Sequence, residues 1–247
     1  MPSPPELSLV FPVWDEEDNV GPLLASAVAL GRRLGRSFEI VVVDDGSEDA
    51  SAARIAAALA AHPEIRAVHH AANRGYGAAL RSGLREARGE LVFFSDADLQ
   101  FDLDEIERLL GHTGSFDVVA GYRAPRRDGW WRDVLAFGWG ALVNGLFDLG
   151  VRDIDCAFKI FRRPVIDAIE VASIGAFVNT EILVRAQRAG FRIHEVPVSH
   201  HPRVAGRAKG VSPRVVVRAI VELSMLYREL TRPVPRREPE RAREEIA

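Results

Sequence analysis

Residues 38–47 read FEIVVVDDGS, a run of mostly apolar and β-branched residues that ends in two aspartates, a glycine and a serine. A run that is nearly continuous in apolar residues is typical of a parallel strand buried on both faces. The stretch 90–98, ELVFFSDAD, has the same arrangement, because a second apolar run ends in aspartates. We therefore predict an α/β protein in which both strands lie inside a mostly parallel central sheet.

The flanking segments alternate between short β-rich runs and helical stretches, which is the pattern of a sheet covered by helices. Predicted strands lie at 7–12, 38–43, 65–69, 90–94, 116–120 and 191–196. Predicted helices lie at 19–34, 51–61, 75–87, 103–110, 130–149, 180–189 and 213–230. We expect an N-terminal extension (1–6), a single domain (7–212), a C-terminal amphipathic helix (213–230) and a disordered tail (231–247).

The composition excludes several classes of protein. The net charge of −3 on 247 residues argues against a general nucleic-acid binder, which is usually strongly basic. The only cysteine, Cys156, cannot form an internal disulfide, which is compatible with a cytoplasmic location. No window holds the roughly 18 to 20 apolar residues that cross a bilayer, and residues 1–7 do not resemble a signal peptide. We therefore expect any membrane contact to be peripheral.

Aspartates follow two of the predicted strands. Asp44 and Asp45 come after the second strand, and Asp96 and Asp98 come after the fourth. A single aspartate at a strand end commonly serves a turn or a cap. Two pairs after buried strands favour a shared polar site, because ligands of open α/β sheets bind at the carboxyl ends of the strands.

The stretch 96–100, DADLQ, predicts a metal site. We expect Asp96 and Asp98 to point in different directions, so that one can face a metal and the other a sugar hydroxyl. Mg²⁺ prefers one or two carboxylates together with substrate phosphates, and Gln100 can add a carbonyl oxygen on the side of Asp98. The alternative is an N-cap cluster for the next helix, a role that we assign to Asp102, which leaves the first two aspartates free.

Two further patterns are incomplete. Gly75-Tyr76-Gly77 resembles the start of a dinucleotide-binding fingerprint, but the third glycine is missing. Residues 96–100 resemble the opening of a calcium loop, but Phe101 stands where such a loop needs glycine. We therefore interpret neither pattern as a site of its own.

Several motifs in order resemble family 2 glycosyltransferases. They are LVFPVWDEEDN (9–19), VDDGSED (43–49), NRGYGAA (73–79) and DADLQ (96–100). The branch they resemble most is the polyprenyl- or dolichyl-phosphate sugar synthases, in which DADLQ is followed by a Gly-x-Arg element such as GYR at 121–123. The resemblance covers about residues 7–212 and is specific for the superfamily.

This resemblance implies a GT-A fold, a GDP- or UDP-sugar donor, Mg²⁺ or Mn²⁺, and inversion at the anomeric carbon of a transferred hexose. It implies that Asp96, with its neighbour Ala97, faces the ribose or sugar and that Asp98 and Gln100 hold the metal. The residues implied to line or adjoin the base and ribose are Pro12, Trp14, Glu16, Asp44, Asp45, Asn73 and Gly75. Trp14 replaces the usual Tyr or Phe and Asp15 replaces the usual Asn; tryptophan can still stack on a base.

The implied acceptor is a polyprenyl phosphate. A phosphate monoester is already anionic and needs no general base, but it needs cations to offset repulsion from the donor diphosphate. Arg123, Arg132 and Arg203 occupy positions that resemble the phosphate-binding arginines of the family, and an arginine fork binds two phosphate oxygens at once. Lys209 lies in a basic, glycine-containing segment, for which we favour closure over the diphosphate, although solvated basic loops are common.

Two other functions stay open. Glu181 resembles the general base of relatives that act on hydroxyl acceptors, although an acid in the first turn also favours the helix dipole. We also consider a nucleotide-sugar-binding subunit without turnover, against which the complete Asp96, Asp98 and Gln100 set argues. Asp155 can contact a donor hydroxyl by the same resemblance, and Cys156 is interpreted as packing.

The predicted helix 213–230 is amphipathic, with apolar residues largely opposite Arg218, Glu222 and Glu229. Most such helices dock on their own domain. Given an isoprenoid acceptor, we hypothesise that part of its apolar face meets a membrane interface together with Trp130, Trp131 and Trp139.

Overall fold

The computed structural model describes residues 3–124, 130–203, 205 and 213–231, without the side chains of 130–136 and 213–214. Within these residues the strands are β1 (Leu7–Val13), β2 (Phe38–Asp44), β3 (Ile65–His69), β4 (Leu91–Ser95), β5 (Val118–Arg123), β6 (Phe158–Arg162) and β7 (Ile193–Val198). The helices are α1 (Glu17–Arg33), α2 (Ser51–Ala61), α3 (Tyr76–Glu86), α4 (Ile106–Leu110), α5 (Trp130–Phe147), α6 (Arg163–Ala168), α7 (Val178–Arg188) and α8 (Pro213–Thr231). A 3₁₀ turn, Leu103–Glu105, precedes α4.

The strands form one sheet in the order β3-β2-β1-β4-β6-β5-β7. β6 pairs antiparallel with both β4 and β5, whereas every other neighbouring pair is parallel. The mostly parallel sheet predicted from the apolar runs is therefore confirmed. β6 and the short α6 were not predicted, because the alternation of elements weakens in this part of the chain.

The order of the strands explains where a ligand can bind. β2, β1 and β4 are neighbours and run parallel, so the loops after them emerge at one edge of the sheet. The register pairs Val13 with Asp44 at the end of β1 and β2. The motifs that follow these three strands therefore meet, as the rule for open α/β sheets predicts.

Two layers of helices cover the sheet. The core on one face packs α1, α2 and α4, and the core on the other face packs α3, α5, α7 and α8. Phe93 meets Phe158 edge-on at 4.7 Å between ring centroids, and Phe94 stacks on Phe161 at 5.9 Å. Burial of each phenylalanine side chain contributes about 1.5–3 kcal/mol to the free energy of unfolding. These pairs join the antiparallel β6 to β4, at the border of the parallel part of the sheet.

Candidate active site

The loop after β1 is tied to the loop after β2. The amide of Asp15 donates to Ser47 Oγ (3.0 Å), and the Asp15 carboxylate accepts from the amide of Glu48 (2.9 Å). Asp15 has a left-handed backbone (φ 48°), which aspartate tolerates better than most residues. Next to it Trp14 is 39% exposed. The indole is therefore accessible for stacking at this edge, while Pro12 is buried in β1.

The two aspartates after β2 brace the loops around them. Asp45 is buried, and its carboxylate accepts hydrogen bonds from the amides of Arg74 (3.0 Å) and Gly75 (2.8 Å). Asp44 accepts from the amide of Ser47 (3.0 Å) and contacts His69. Asp45 thereby holds the 73–75 segment beside the sheet edge. The nucleotide contacts predicted for these aspartates stay predictions.

The two aspartates after β4 lie in different environments. Asp96 Oδ1 is buried and makes no hydrogen bond within the described residues. Burial, followed by the charge of Asp98, raises the pKa of Asp96 to about 7, against the lowering effect of Tyr76, Lys159 and Arg123. The Tyr76 hydroxyl is close enough to lower the pKa of Asp96. The side chains of Tyr76 and Asp96 are nevertheless not joined by a hydrogen bond of normal geometry.

Asp98 lies close to a positive charge. Its Oδ2 lies 3.7 Å from Nη2 of Arg203, and its Oδ1 accepts from the amide of Gln100 (3.2 Å). The side-chain nitrogen of Gln100 donates to the carbonyl of His201 (3.0 Å). The side-chain oxygen of Gln100 can therefore bind another partner. Arg203 also forms an ion pair with Glu16. The loops after β1 and β4 are thereby joined through one guanidinium group.

The donor atoms at this edge fit a hard divalent cation. Asp98 and Gln100 offer oxygen atoms, and the approach of Arg203 marks a place that favours positive charge. Within the described part of the chain, no group of three or more His, Cys, Asp or Glu side chains is arranged to hold a metal. A site with few protein ligands suits Mg²⁺ or Mn²⁺, because substrate phosphates and water supply the remaining ligands.

A buried lysine behind Asp96 was missed from the sequence. Lys159 on β6 is completely buried, and its Nζ donates to the carbonyls of Ile154 (3.1 Å) and Cys156 and to Asn179 Oδ1 (3.3 Å). Burial lowers the pKa of Lys159. The side chain connects the loop before β6 to the first turn of α7. A charged residue inside the apolar run AFKIF (157–161) was the signal that could have revealed it.

With this geometry established, the chain can be compared with known proteins. Residues 8–170 match the model of the family described as Glycosyl transferase family 2. The chain belongs to this family. The GT-A fold expected from the motifs is confirmed together with the family.

Relatives in family 2 carry names that agree with the branch expected from the sequence. The undecaprenyl-phosphate 4-deoxy-4-formamido-L-arabinose transferase of Pseudomonas paraeruginosa is 36% identical over 215 residues, which are 85% of this chain and 62% of that protein. The protein of the same name from Edwardsiella ictaluri is 35% identical over 210 residues, 82% of this chain and 62% of that one. The matched region thus spans less than two thirds of these relatives.

Solved structures share the family 2 fold. The mannosyl-3-phosphoglycerate synthase of Rubrobacter xylanophilus superposes with a TM-score of 0.75 at 20% identity, over 96% of this chain and 78% of that one. The glucosyl-3-phosphoglycerate synthase of Mycobacterium tuberculosis, in complex with Mn²⁺, UDP and glucosyl-3-phosphoglycerate, gives 0.65 at 20% identity, over 92% of this chain and 77% of that one.

Glu181, the general base that the family resemblance suggests, is deeply engaged in this family 2 chain. It is 2% exposed. Its carboxylate accepts hydrogen bonds from the amides of Ala172 (3.1 Å) and Ser173 (2.7 Å) and from Arg185 Nε (2.7 Å). These contacts give Glu181 a structural task at the start of α7, and they disfavour its use as a base.

The arginines expected to bind phosphate have different positions. Arg203 lies beside Asp98, as described above. Arg123 donates from Nε and Nη2 to the two carboxylate oxygens of Asp153, each at 2.8 Å, so the two residues form a forked ion pair. The side chain of Arg132 and the whole of Lys209 lie outside the described residues.

The remaining residues that the sequence singles out differ in burial and in contacts. Cys156 is buried, and burial raises the pKa of its thiol to about 12, which confirms its packing role. Ala97 is also buried, so its side chain contributes to the core. Asn73 and Asp155 are exposed. Asp102 caps the 3₁₀ turn as predicted, because its Oδ1 accepts from the amide of Asp104 (3.0 Å).

Proposed function

We propose that this protein is an inverting glycosyltransferase that moves a sugar from a nucleoside-diphosphate sugar, with UDP as the first candidate, to a polyprenyl phosphate. The names of the undecaprenyl-phosphate relatives support the acceptor, and the UDP complex of the fold neighbour supports the nucleotide. The relatives are named for an arabinose derivative, which is a pentose, so the hexose expected from the sequence stays a prediction.

The observation that carries the proposal is the arrangement at the ends of β1 and β4. Asp98, Gln100, Glu16 and Arg203 form one connected group there. The exposed Trp14 lies two residues before Glu16 and offers an aromatic face for a base. A bound nucleoside diphosphate requires an aromatic surface on which its nucleobase can stack. It also requires, next to that surface, groups that balance the charge of its phosphates.

The residues of this site have separate tasks in the proposed reaction. Asp98 and Gln100 would hold the divalent cation, which would offset the negative charge of the departing diphosphate. Arg203 is already close to Asp98, so its guanidinium group can stabilise phosphate oxygens at the same place. Asp96, which is half-buried in this loop, is assigned to the sugar or ribose.

The surroundings of Glu181 support a phosphate acceptor over a hydroxyl acceptor. A hydroxyl must lose a proton during attack, which requires a base, whereas a phosphate monoester is already a nucleophile. Both oxygens of Glu181 accept hydrogen bonds, and Arg185 adds a positive charge next to them. Both oxygens of this carboxylate are therefore engaged within the protein. The reaction with a phosphate acceptor avoids this difficulty.

The exposed apolar side chains of α5 and α8 support contact with a bilayer surface. On α5, Phe137 is 79% exposed, and the two helices meet where Phe147 contacts Tyr227. The exposed apolar residues of α8 are Val216, Val217, Ile220, Val221 and Met225. Trp139 instead packs edge-on against Phe177, so it contributes less than expected. No helix in the described ranges has the length and apolar character needed to cross a membrane.

We propose that this surface rests on the membrane that carries the acceptor, at its cytoplasmic face. Sedimentation with vesicles that contain anionic lipid should pull down the wild-type protein, and Val217→Glu with Met225→Glu should weaken this binding. Equal recovery of both proteins in the supernatant would remove the membrane contact and leave the transfer reaction untouched.

A donor and acceptor screen tests the proposed reaction. Purified protein is incubated with Mg²⁺ or Mn²⁺, UDP- and GDP-sugars, and a short polyprenyl phosphate, and release of nucleoside diphosphate is followed. We expect release that depends on the polyprenyl phosphate and not on the matching polyprenyl alcohol. Release with the alcohol or a saccharide alone would favour the hydroxyl acceptor, and binding without release would favour a non-catalytic subunit.

A further inference from the structure

The Gly75-Tyr76-Gly77 turn at the start of α3 packs closely against segment 173–175. Gly75 has φ 100°, and a Cβ added to it would lie 2.4 Å from the carbonyl oxygen of Ile174. A Cβ on Gly77 would lie 2.6 Å from the carbonyl oxygen of Ser173. Both distances are far below van der Waals contact, so this position requires glycine. The two glycines therefore let segment 173–175 approach the α3 turn.

This turn carries groups that belong to the candidate site. Tyr76 stands between the two glycines, and its buried hydroxyl lies beside Asp96. The amide of Gly75 donates to Asp45, as described above. Gly77 donates its amide to the carbonyl of Ile174 (3.0 Å). The position of segment 173–175 therefore sets the position of Tyr76 relative to Asp96.

Segment 173–175 is held from its other side by α8. Glu222 Oε1 accepts hydrogen bonds from the amides of Ile174 (3.1 Å) and Gly175 (3.4 Å). The side chain of Arg218 covers Gly175, with Cδ 3.0 Å from the place of an added Cβ. Hydrogen bonds from backbone amides to a carboxylate are stronger than those between neutral groups. One carboxylate of α8 thus fixes a segment whose carbonyls support the Gly75–Gly77 turn.

We propose that Glu222 is a positioning residue that holds segment 173–175 against the Gly75–Gly77 turn and thereby sets Tyr76 beside Asp96. The inference rests on the proposed function, because it assigns the loop after β4 to donor binding. Glu222 does not touch the loop after β4, so it acts through two intervening segments. Through the same carboxylate, the position of α8 influences the donor site.

The chain offers a matched control on the same helix. Glu229, two turns after Glu222, accepts hydrogen bonds from Nη1 and Nη2 of Arg185, both at 2.9 Å, and so also docks α8. It makes no hydrogen bond to segment 173–175 among those described. Glu222→Ala and Glu229→Ala therefore both weaken the docking of α8, but only the first releases the segment. Glu222→Gln keeps an acceptor oxygen and serves as the conservative variant.

Amide hydrogen exchange of the wild type and the three variants tests the positioning directly. In Glu222→Ala we expect exchange in residues 74–79 to become about ten-fold faster, because the amide of Gly77 loses its fixed acceptor. Glu229→Ala and Glu222→Gln should stay within about three-fold of the wild type. Equal acceleration in both alanine variants, or none in Glu222→Ala, would overturn the inference, and neither result requires a known donor.

Titration with UDP and Mn²⁺ then links the position to the site. We expect a Kd about ten-fold weaker in Glu222→Ala, recovery of most of the affinity in Glu222→Gln, and a Kd for Glu229→Ala close to that of the wild type. Wild-type protein that does not bind UDP would count against the proposed donor, while the exchange data would still decide the role of Glu222. Equal affinity in the wild type and Glu222→Ala would contradict the inference alone.

Discussion

The loop after β4 and the first turn of α7 each carry an acidic residue that the sequence marks for chemistry, yet their surroundings differ. Asp98 is half-buried, accepts one backbone hydrogen bond and lies near Arg203. Glu181 is buried, and both of its oxygens accept hydrogen bonds from the protein itself. A carboxylate can serve a ligand only if the fold leaves its oxygens available. By this criterion Asp98 can serve a ligand, whereas Glu181 supports the structure.

The largest effect in this comparison is expected from Asp98→Ala. The variant removes the carboxylate that we assign to charge stabilisation, so turnover should fall by about 10²–10³, which corresponds to about 2.7–4 kcal/mol. Its stability should change little, because Asp98 makes few contacts with the rest of the fold. Steady-state kinetics and urea denaturation of the same preparation measure both quantities. Turnover close to that of the wild type would remove Asp98 from the mechanism.

An intermediate effect, on stability, is expected from Glu181→Gln. The amide keeps one acceptor oxygen but loses the charge that pairs with Arg185, so unfolding should become easier by about 1–3 kcal/mol. Turnover should fall by less than about ten-fold, whereas loss of a general base typically costs about 10²–10⁴. Urea denaturation and kinetics measure the two effects.

Glu229→Gln provides the control for Glu181→Gln. Glu229 pairs with the same Arg185, but its side chain is 55% exposed, so the cost should stay below about 1 kcal/mol. A Glu181→Gln variant of normal stability with turnover reduced more than a hundred-fold would reverse the comparison and favour a hydroxyl acceptor.

The smallest effect is expected from Asp102→Ala in the same loop as Asp98. Asp102 caps the 3₁₀ turn that follows, and loss of such a cap costs about 0.5–2 kcal/mol. Turnover should stay near the wild-type value, because the Asp102 carboxylate is used by the amide of Asp104. Thermal unfolding and kinetics decide between the outcomes. If Asp102→Ala loses as much turnover as Asp98→Ala, the loop as a whole is responsible and Asp98 has no special role.

The sequence predicts where the loops of the candidate site meet, for a physical reason. β2, β1 and β4 are buried parallel strands, and such strands have apolar runs that are easily recognised and bring their ends to one edge. The aspartates that follow them are therefore placed by the fold class alone. The cap at Asp102 follows from local geometry and was predicted for that reason.

The features that the sequence could not reveal depend on contacts between distant segments. Glu181 has the residue type and position of a base, and only the fold shows that the amides of Ala172 and Ser173 occupy its carboxylate. The need for glycine in the Gly75–Gly77 turn is explained only by segment 173–175, which lies against it in the fold. Lys159 was missed together with β6, because its partners on the loop before β6 and on α7 are brought to it only by the fold.

The most direct test of the account is the metal dependence of sugar transfer. Protein treated with a chelator and then freed of it is assayed with the donor and polyprenyl phosphate found in the screen, before and after addition of Mn²⁺ or Mg²⁺. We predict that the stripped protein loses nearly all activity, that added metal restores it, and that added metal fails to restore Asp98→Ala. Transfer by the stripped protein at the full rate would contradict the assignment of Asp98 and Gln100.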